Sequence, residues 1–122
     1  MKFSEELKDR AQRFALKIIE LADSLPNKRS ADIFGRQIIR SATSVGANYR
    51  AACRARSHAE FLSKMHDVQE EADETQYWLE LLHKSKSVGE VDYKILSKES
   101  PELTAIFTAS YATAKKNKNR RS

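Results

Sequence analysis

The chain has 122 residues, 40% hydrophobic and 32% charged, with three glycines and two prolines. That length supports one domain with its own core, and that composition suits long helices in a folded, not disordered, protein. The formal net charge of +5 is concentrated at one end: Lys115, Lys116, Lys118, Arg120 and Arg121 supply five of 22 basic residues, leaving 17 against 17 acids in residues 1–114. A neutral body over residues 1–114 and a basic flexible tail over 115–122 are therefore expected. No apolar run nears the roughly 20 residues that span a bilayer, and Met1-Lys-Phe-Ser-Glu-Glu lacks a signal peptide's apolar core, so a cytoplasmic protein without membrane contact is expected. The single cysteine, Cys53, excludes an intrachain disulfide and a cysteine-based zinc site and reads as a small helix-face residue.

Four helical segments follow from apolar spacing. In the first, Leu7, Ala11, Phe14, Ile18, Leu21 and Leu25 recur at alternating steps of four and three until Leu25-Pro26-Asn27 stops the helix. The second starts near Ser30 or Asp32, either a possible cap, and carries Phe34, Ile38, Ser41, Val45, Asn48 and Ala52 on one seam. Ser57-His-Ala-Glu60 then reads as a capping box, with the Ser57 hydroxyl accepting from the Glu60 N–H and the Glu60 carboxylate reaching back to the Ser57 N–H. The third segment repeats the seam with Phe61, Met65, Val68, Ala72, Thr75, Leu79 and Leu82 and ends over Ser85 to Gly89. The fourth begins near Asp92 and uses Leu96, Leu103, Phe107, Ser110 and Ala114. Ser100-Pro101 inside it predicts a break, with Ser100 capping a new helix and Pro101 at its first position.

Segments of about 22 to 30 residues are about 33 to 45 Å long at 1.5 Å per residue, and the short connections select an all-α, antiparallel up-down-up-down four-helix bundle. Charge sets how the middle two helices align. Between Ile33 and Ala59 every charge is an arginine (Arg36, Arg40, Arg50, Arg54, Arg56), whereas Glu60 to Glu80 holds seven acids against Lys64. With Ser57 at the bend, residue k of the second helix lies near residue 113 minus k of the third. Arg40 then falls level with Asp73, flanked by Glu70 and Glu74, and Arg36 falls near Tyr77. Such exposed pairs contribute about 0 to 1 kcal/mol each, so they set alignment more than stability.

Ser41, Asn48 and Thr75 occupy seam positions that need hydrogen-bond partners, and Asn48 reads as the residue that enforces one register or oligomeric state. The small-residue run from Ser41 to Asn48 suits a close helix approach, which would offset the roughly 1 kcal/mol that Gly46 costs in a helix. A second stripe of Ile39, Tyr49, Leu62, Trp78 and Leu81 lies outside the seams and predicts a subunit interface, hence a homo-oligomer. Glu80-Leu-Leu-His83 has a di-iron spacing but lacks the second such pair, and Asp67, Glu70, Glu71 and Glu74 read as a solvated acidic face. No Gly-rich phosphate loop, nucleophile elbow or carboxylate pair with a cleft is present, so neither an enzyme nor a cofactor is expected.

The run from Gln37 to Ser57 (QIIRSATSVGANYRAACRARS), Glu60-Phe61, Glu70-Glu-Ala-Asp-Glu74, Trp78-Leu-Glu-Leu-Leu82 and Ile106-Phe-Thr-Ala-Ser110 together resemble the bacterial 23S rRNA intervening-sequence, or S23, proteins. Many members carry Glu-Gly where this chain has Ala51-Ala52. The resemblance implies a homopentameric ring of four-helix bundles, no catalysis and a loose link to RNA. The chain is also similar to the accessory protein of diversity-generating retroelements, a basic pentamer that binds a reverse transcriptase and nucleic acid. Two functions are thus expected. The first is non-specific binding of RNA or DNA through Lys115, Lys116, Lys118, Arg120 and Arg121, with Arg50, Arg54 and Arg56 as a second patch. The alternative is a scaffold that presents its acidic, aromatic third helix to a protein partner such as a polymerase. No base-reading motif or aromatic stacking platform is evident in the sequence.

Overall fold

The computed structural model describes the backbone of residues 2–121 and the side chains of residues 3–117. Its helices are α1 (Lys2–Asp23), α2 (Arg29–Cys53), α3 (His58–Lys84) and α4 (Glu90–Arg121), with no strand among the described residues. Each turn reverses the chain, so α1 packs on α2, α2 on α3 and α3 on α4. The α2–α3 pairing is the most extensive and the α1–α4 pairing the thinnest.

Each turn has its own local chemistry. After α1, the Ser24 and Leu25 N–H groups donate to Leu21 and Ala22, and Pro26 prevents continuation. The cap of α2 is Lys28 in extended backbone (φ −146°, ψ 156°), not Ser30 or Asp32, and no side chain bonds the helix end. Lys28 Nζ instead donates to the Ser85 carbonyl at 3.0 Å, tying the first turn to the third. Ser57 caps α3 as expected, its Oγ accepting from the Glu60 N–H at 3.0 Å. The return bond differs: Glu60 Oε2 accepts from the Arg56 N–H at 3.1 Å, one residue before the expected donor. The α3 terminus is a Schellman closure, with the Ser87 N–H on Leu82 O and the Lys86 N–H on His83 O. Lys86 takes the left-handed conformation this closure needs (φ 62°), although Gly89 stands three residues away with no positive φ.

The expected break at Pro101 does not occur, and α4 runs through it. Proline removes a donor to the Ser97 carbonyl, but Pro101 is exposed and Ser97 half-exposed, so water can serve that oxygen. Leu96, Leu103 and Phe107 are buried on both sides of it, and Thr104 Oγ1 donates to the Ser100 carbonyl at 2.9 Å. That packing keeps the two halves one continuous helix.

Core composition follows the seams closely. Leu7, Ala11, Phe14, Ile18 and Leu21 meet Ile38, Val45 and Ala52, then Met65, Val68, Ala72, Leu79 and Leu82, then Leu96, Leu103 and Phe107. Asn48 is the main correction on α2. It is half-buried and donates to its own helix at Ser44 O (3.0 Å), while its neighbour Tyr49 turns inward to 5% exposure with its ring 5.4 Å from that of Phe107. Burial, and then the adjacent Cys53 thiol, push the Tyr49 hydroxyl above the ordinary phenol range. The polar pin between helices is Ser41 with Thr75, both fully buried with hydroxyls 2.8 Å apart. Each also lies within reach of a carbonyl of its own helix, Ile38 O and Glu71 O, so one hydroxyl donates to the other and the other to its backbone. The tightest glycine is Gly35, where a Cβ would stand 2.9 Å from the Leu25 Cδ1 of the α1–α2 turn; at Gly46, inside the small-residue run, it would meet Ala11 Cβ of α1 at an ordinary 3.9 Å.

Two stability measurements check this description. Lys86→Gly relieves the left-handed strain and raises the stability read by urea unfolding by about 0.5–1 kcal/mol. A double-mutant cycle of Ser41→Ala and Thr75→Val gives a coupling of about 0.5–1.5 kcal/mol, and additive effects would remove the pin.

Candidate nucleic-acid interface

The antiparallel order brings the C-terminal part of α2, the start of α3, the end of α4 and the start of α1 to the same end of the bundle. Arg50, Arg54 and Arg56 stand exposed there, and no carboxylate pairs with any of them within 4 Å among the described residues. The Glu60 carboxylate, the acid nearest them in sequence, is engaged by the Arg56 backbone N–H. At the same end, His58 Nε2 donates to the Ala114 carbonyl at 2.9 Å and fastens the first turn of α3 to α4. Exposed Lys115 and Lys116 follow directly on α4, which continues as helix to Arg121. The side chains of Lys118, Arg120 and Arg121 lie outside the described residues. The two basic groups separated by some 60 positions in the chain are therefore joined at one end through His58.

Farther along α2 the arginines are neutralised. The Arg40 guanidinium forks to Glu71 at 2.9 Å and to Glu74. Glu74 also accepts from Trp78 Nε1 at 3.1 Å, and these bonds, Trp78 first and then Arg40, hold its carboxyl below the usual range. Of the acids expected opposite Arg40, Glu74 is engaged, and Glu71 joins it in place of Asp73 and Glu70. Asp73 is exposed without an ion pair among the described residues, Glu70 pairs with His66 within its own helix, and Arg36 pairs with Asp32 of its own helix at 3.4 Å. Across the thin α1–α4 seam, Arg10 bonds Glu99 at 2.7 Å and Glu102 at 3.0 Å. The Arg10 bond, partly opposed by burial, keeps Glu99 below its ordinary value.

The five stripe residues do not form one surface. Tyr49 belongs to the core. Ile39 lines a groove against the α1–α2 turn, Trp78 lies beside Phe34 of α2, and Leu62 stands one turn before His66, whose ring lies beside Tyr111 of α4; these three and Leu81 are half-buried. The large apolar side chains left open are others, among them Leu16 at 58% and Tyr77 at 54%. Leu16 overlooks an open groove of about 680 Å³ between α1 and α2, lined by Gly46 and Ala47 and, toward the start of α1, by Arg50 and Arg54 together with Glu5 and Asp9. Both were legible only as apolar residues off the seams. His83, once a possible metal ligand with Glu80, stacks on Tyr93 at 3.7 Å and bonds Glu90 at 2.5 Å.

These features define an antiparallel helical bundle with segregated charge and no helix among the described residues long and apolar enough to cross a membrane. The chain belongs to the 23S rRNA-intervening sequence protein family, whose profile matches residues 5–109. It is similar to a solved protein of unknown function from the S23 ribosomal protein family of Bacteroides thetaiotaomicron, with 35% identity and a TM-score of 0.83 over 92% of this chain and 99% of that one. No curated protein matches it.

Because Glu74 and Glu99 ionise at lower pH in the folded chain than in the unfolded one, their stabilisation is complete above the unfolded value and is lost as pH falls through the folded value. Melting temperature should fall with acidification below about pH 4.5, and Glu99→Gln should flatten that decline.

Proposed function

We propose that this chain is a non-enzymatic, self-associating cytoplasmic bundle that binds nucleic acid, RNA foremost, through its basic end and without sequence preference. The observation that carries this reading is the meeting of unpaired Arg54 and Arg56 with Lys115 and Lys116 at one end, fastened by His58 to Ala114. Arginines already forked to carboxylates would have to surrender those bonds to reach phosphate; these do not. The family's name associates it with ribosomal RNA, and copies joined through exposed Leu16 and Tyr77 would multiply a weak contact by avidity.

Anisotropy titration of a labelled RNA should show binding at low salt that weakens steeply as salt rises, by about 0.7 to 0.9 log units per log unit for each phosphate contact. Combined Arg54→Gln, Arg56→Gln, Lys115→Gln and Lys116→Gln changes should cut affinity at least about tenfold and flatten that slope. Absence of binding at low salt, or a variant that binds as the parent does, rejects the reading. Light scattering addresses self-association separately, with Leu16→Lys expected to shift an oligomer toward monomer.

A further inference from the structure

We propose that the Tyr111 ring is a stacking platform for an unpaired nucleobase, which makes the basic end selective for single-stranded nucleic acid over duplex; this rests on the nucleic-acid reading above. Three side chains distant in sequence form the feature. Tyr111 on α4 packs against the core and is half-buried, so part of its ring stays open to solvent. His66 on α3 stands beside it with ring centroids 6.3 Å apart at 48°. Lys115, one turn further along α4, holds its ammonium 5.9 Å from the Tyr111 centroid.

The lysine is the informative member. Lys115 is exposed and lies over the ring, so the ring surface it reaches is one that a solute can approach from solvent. A flat base can take that position while the displaced ammonium turns to the base's own phosphate, which exchanges a cation–π contact for stacking plus a charge pair. The surroundings orient such a strand. Glu70 bonds His66 at 2.5 Å and repels phosphate on that side, and the Gln69–Thr108 bond (3.1 Å) closes the α3–α4 seam beyond it. Lys115, Lys116 and the Arg54–Arg56 turn draw the backbone the other way. Bases within a duplex have both faces stacked on neighbours and cannot use the ring without unpairing.

The test compares three labelled 15-nucleotide probes by anisotropy: a uridine oligomer, an abasic oligomer with the same phosphates, and the uridine–adenosine duplex. The native chain should bind the uridine oligomer about five- to fiftyfold more tightly than the abasic one. Tyr111→Leu should bring the uridine oligomer to the abasic level while leaving abasic and duplex binding unchanged, and Tyr111→Phe should retain the preference because stacking does not need the hydroxyl. Equal binding of uridine and abasic oligomers by the native chain overturns the platform and leaves the basic end standing, and needs no variant to fold. A Tyr111→Leu chain of native helicity that keeps the preference also overturns it. Binding of none of the probes overturns both readings together.

Discussion

The α2–α3 pairing is the constraint on which the molecule depends. Its two helices are joined by a turn too short for any arrangement but an antiparallel one, because Ser57 caps α3 only four residues after α2 ends at Cys53. Direction alone leaves the axial offset free. That offset is set twice, by the buried hydroxyl pair of Ser41 and Thr75 and by the Arg40 fork to Glu71 and Glu74 one step along the same interface. Sliding α3 by one turn would bury two hydroxyls against hydrocarbon and leave Arg40 facing different side chains. The outer helices use this pair as a template: α1 lies on α2, α4 on α3, and their own meeting is so thin that Arg10 with Glu99 and Glu102 supplies its main polar link.

Much of this was legible in the residues. The α1 and α3 seams were read almost residue for residue because each has one apolar row with nothing competing for the interior. On α2 the row is ambiguous. Tyr49 and Asn48 are adjacent, both can be turned inward, and period alone does not choose; the volume beside Phe107, contributed by a helix far away in sequence, admits the ring and leaves the amide to its own backbone. Pro101 was misread for a similar reason. Local chemistry favours a break, and burial of Leu103 and Phe107 on a continuous helix outweighs it. Lys86 in the left-handed region carried no sequence signal, since Gly89 is the residue that intrinsic preference would have placed there.

The candidate site divides the same way. That arginines gather before Ser57 and lysines at the C-terminal end is plain from composition, but their meeting is a property of topology. An even number of reversals returns α4 to the level of the α2–α3 turn, and His58, a residue with no evident role in the sequence, makes the joint at Ala114. Tyr111 beside His66 is likewise invisible until α3 and α4 are aligned, because 45 positions separate them.

The charge pattern of α3 then decides which arginines are available. On the antiparallel register, Arg40 faces the dense acids between Glu70 and Glu74 and is neutralised, whereas Arg50 and Arg54 line the α1–α2 groove, where Glu5 and Asp9 lie within the same lining but form no ion pair with them among the described residues. Glu60 in turn is committed to the Arg56 backbone as part of the turn that makes the register possible. One capping interaction thus serves two ends: it reverses the chain, and it engages the carboxylate nearest in sequence to Arg56 with a backbone N–H. The acidity of α3 consequently does not oppose a polyanion at this end; it lies farther along the bundle and would repel a bound strand toward the arginines and lysines that remain unpaired.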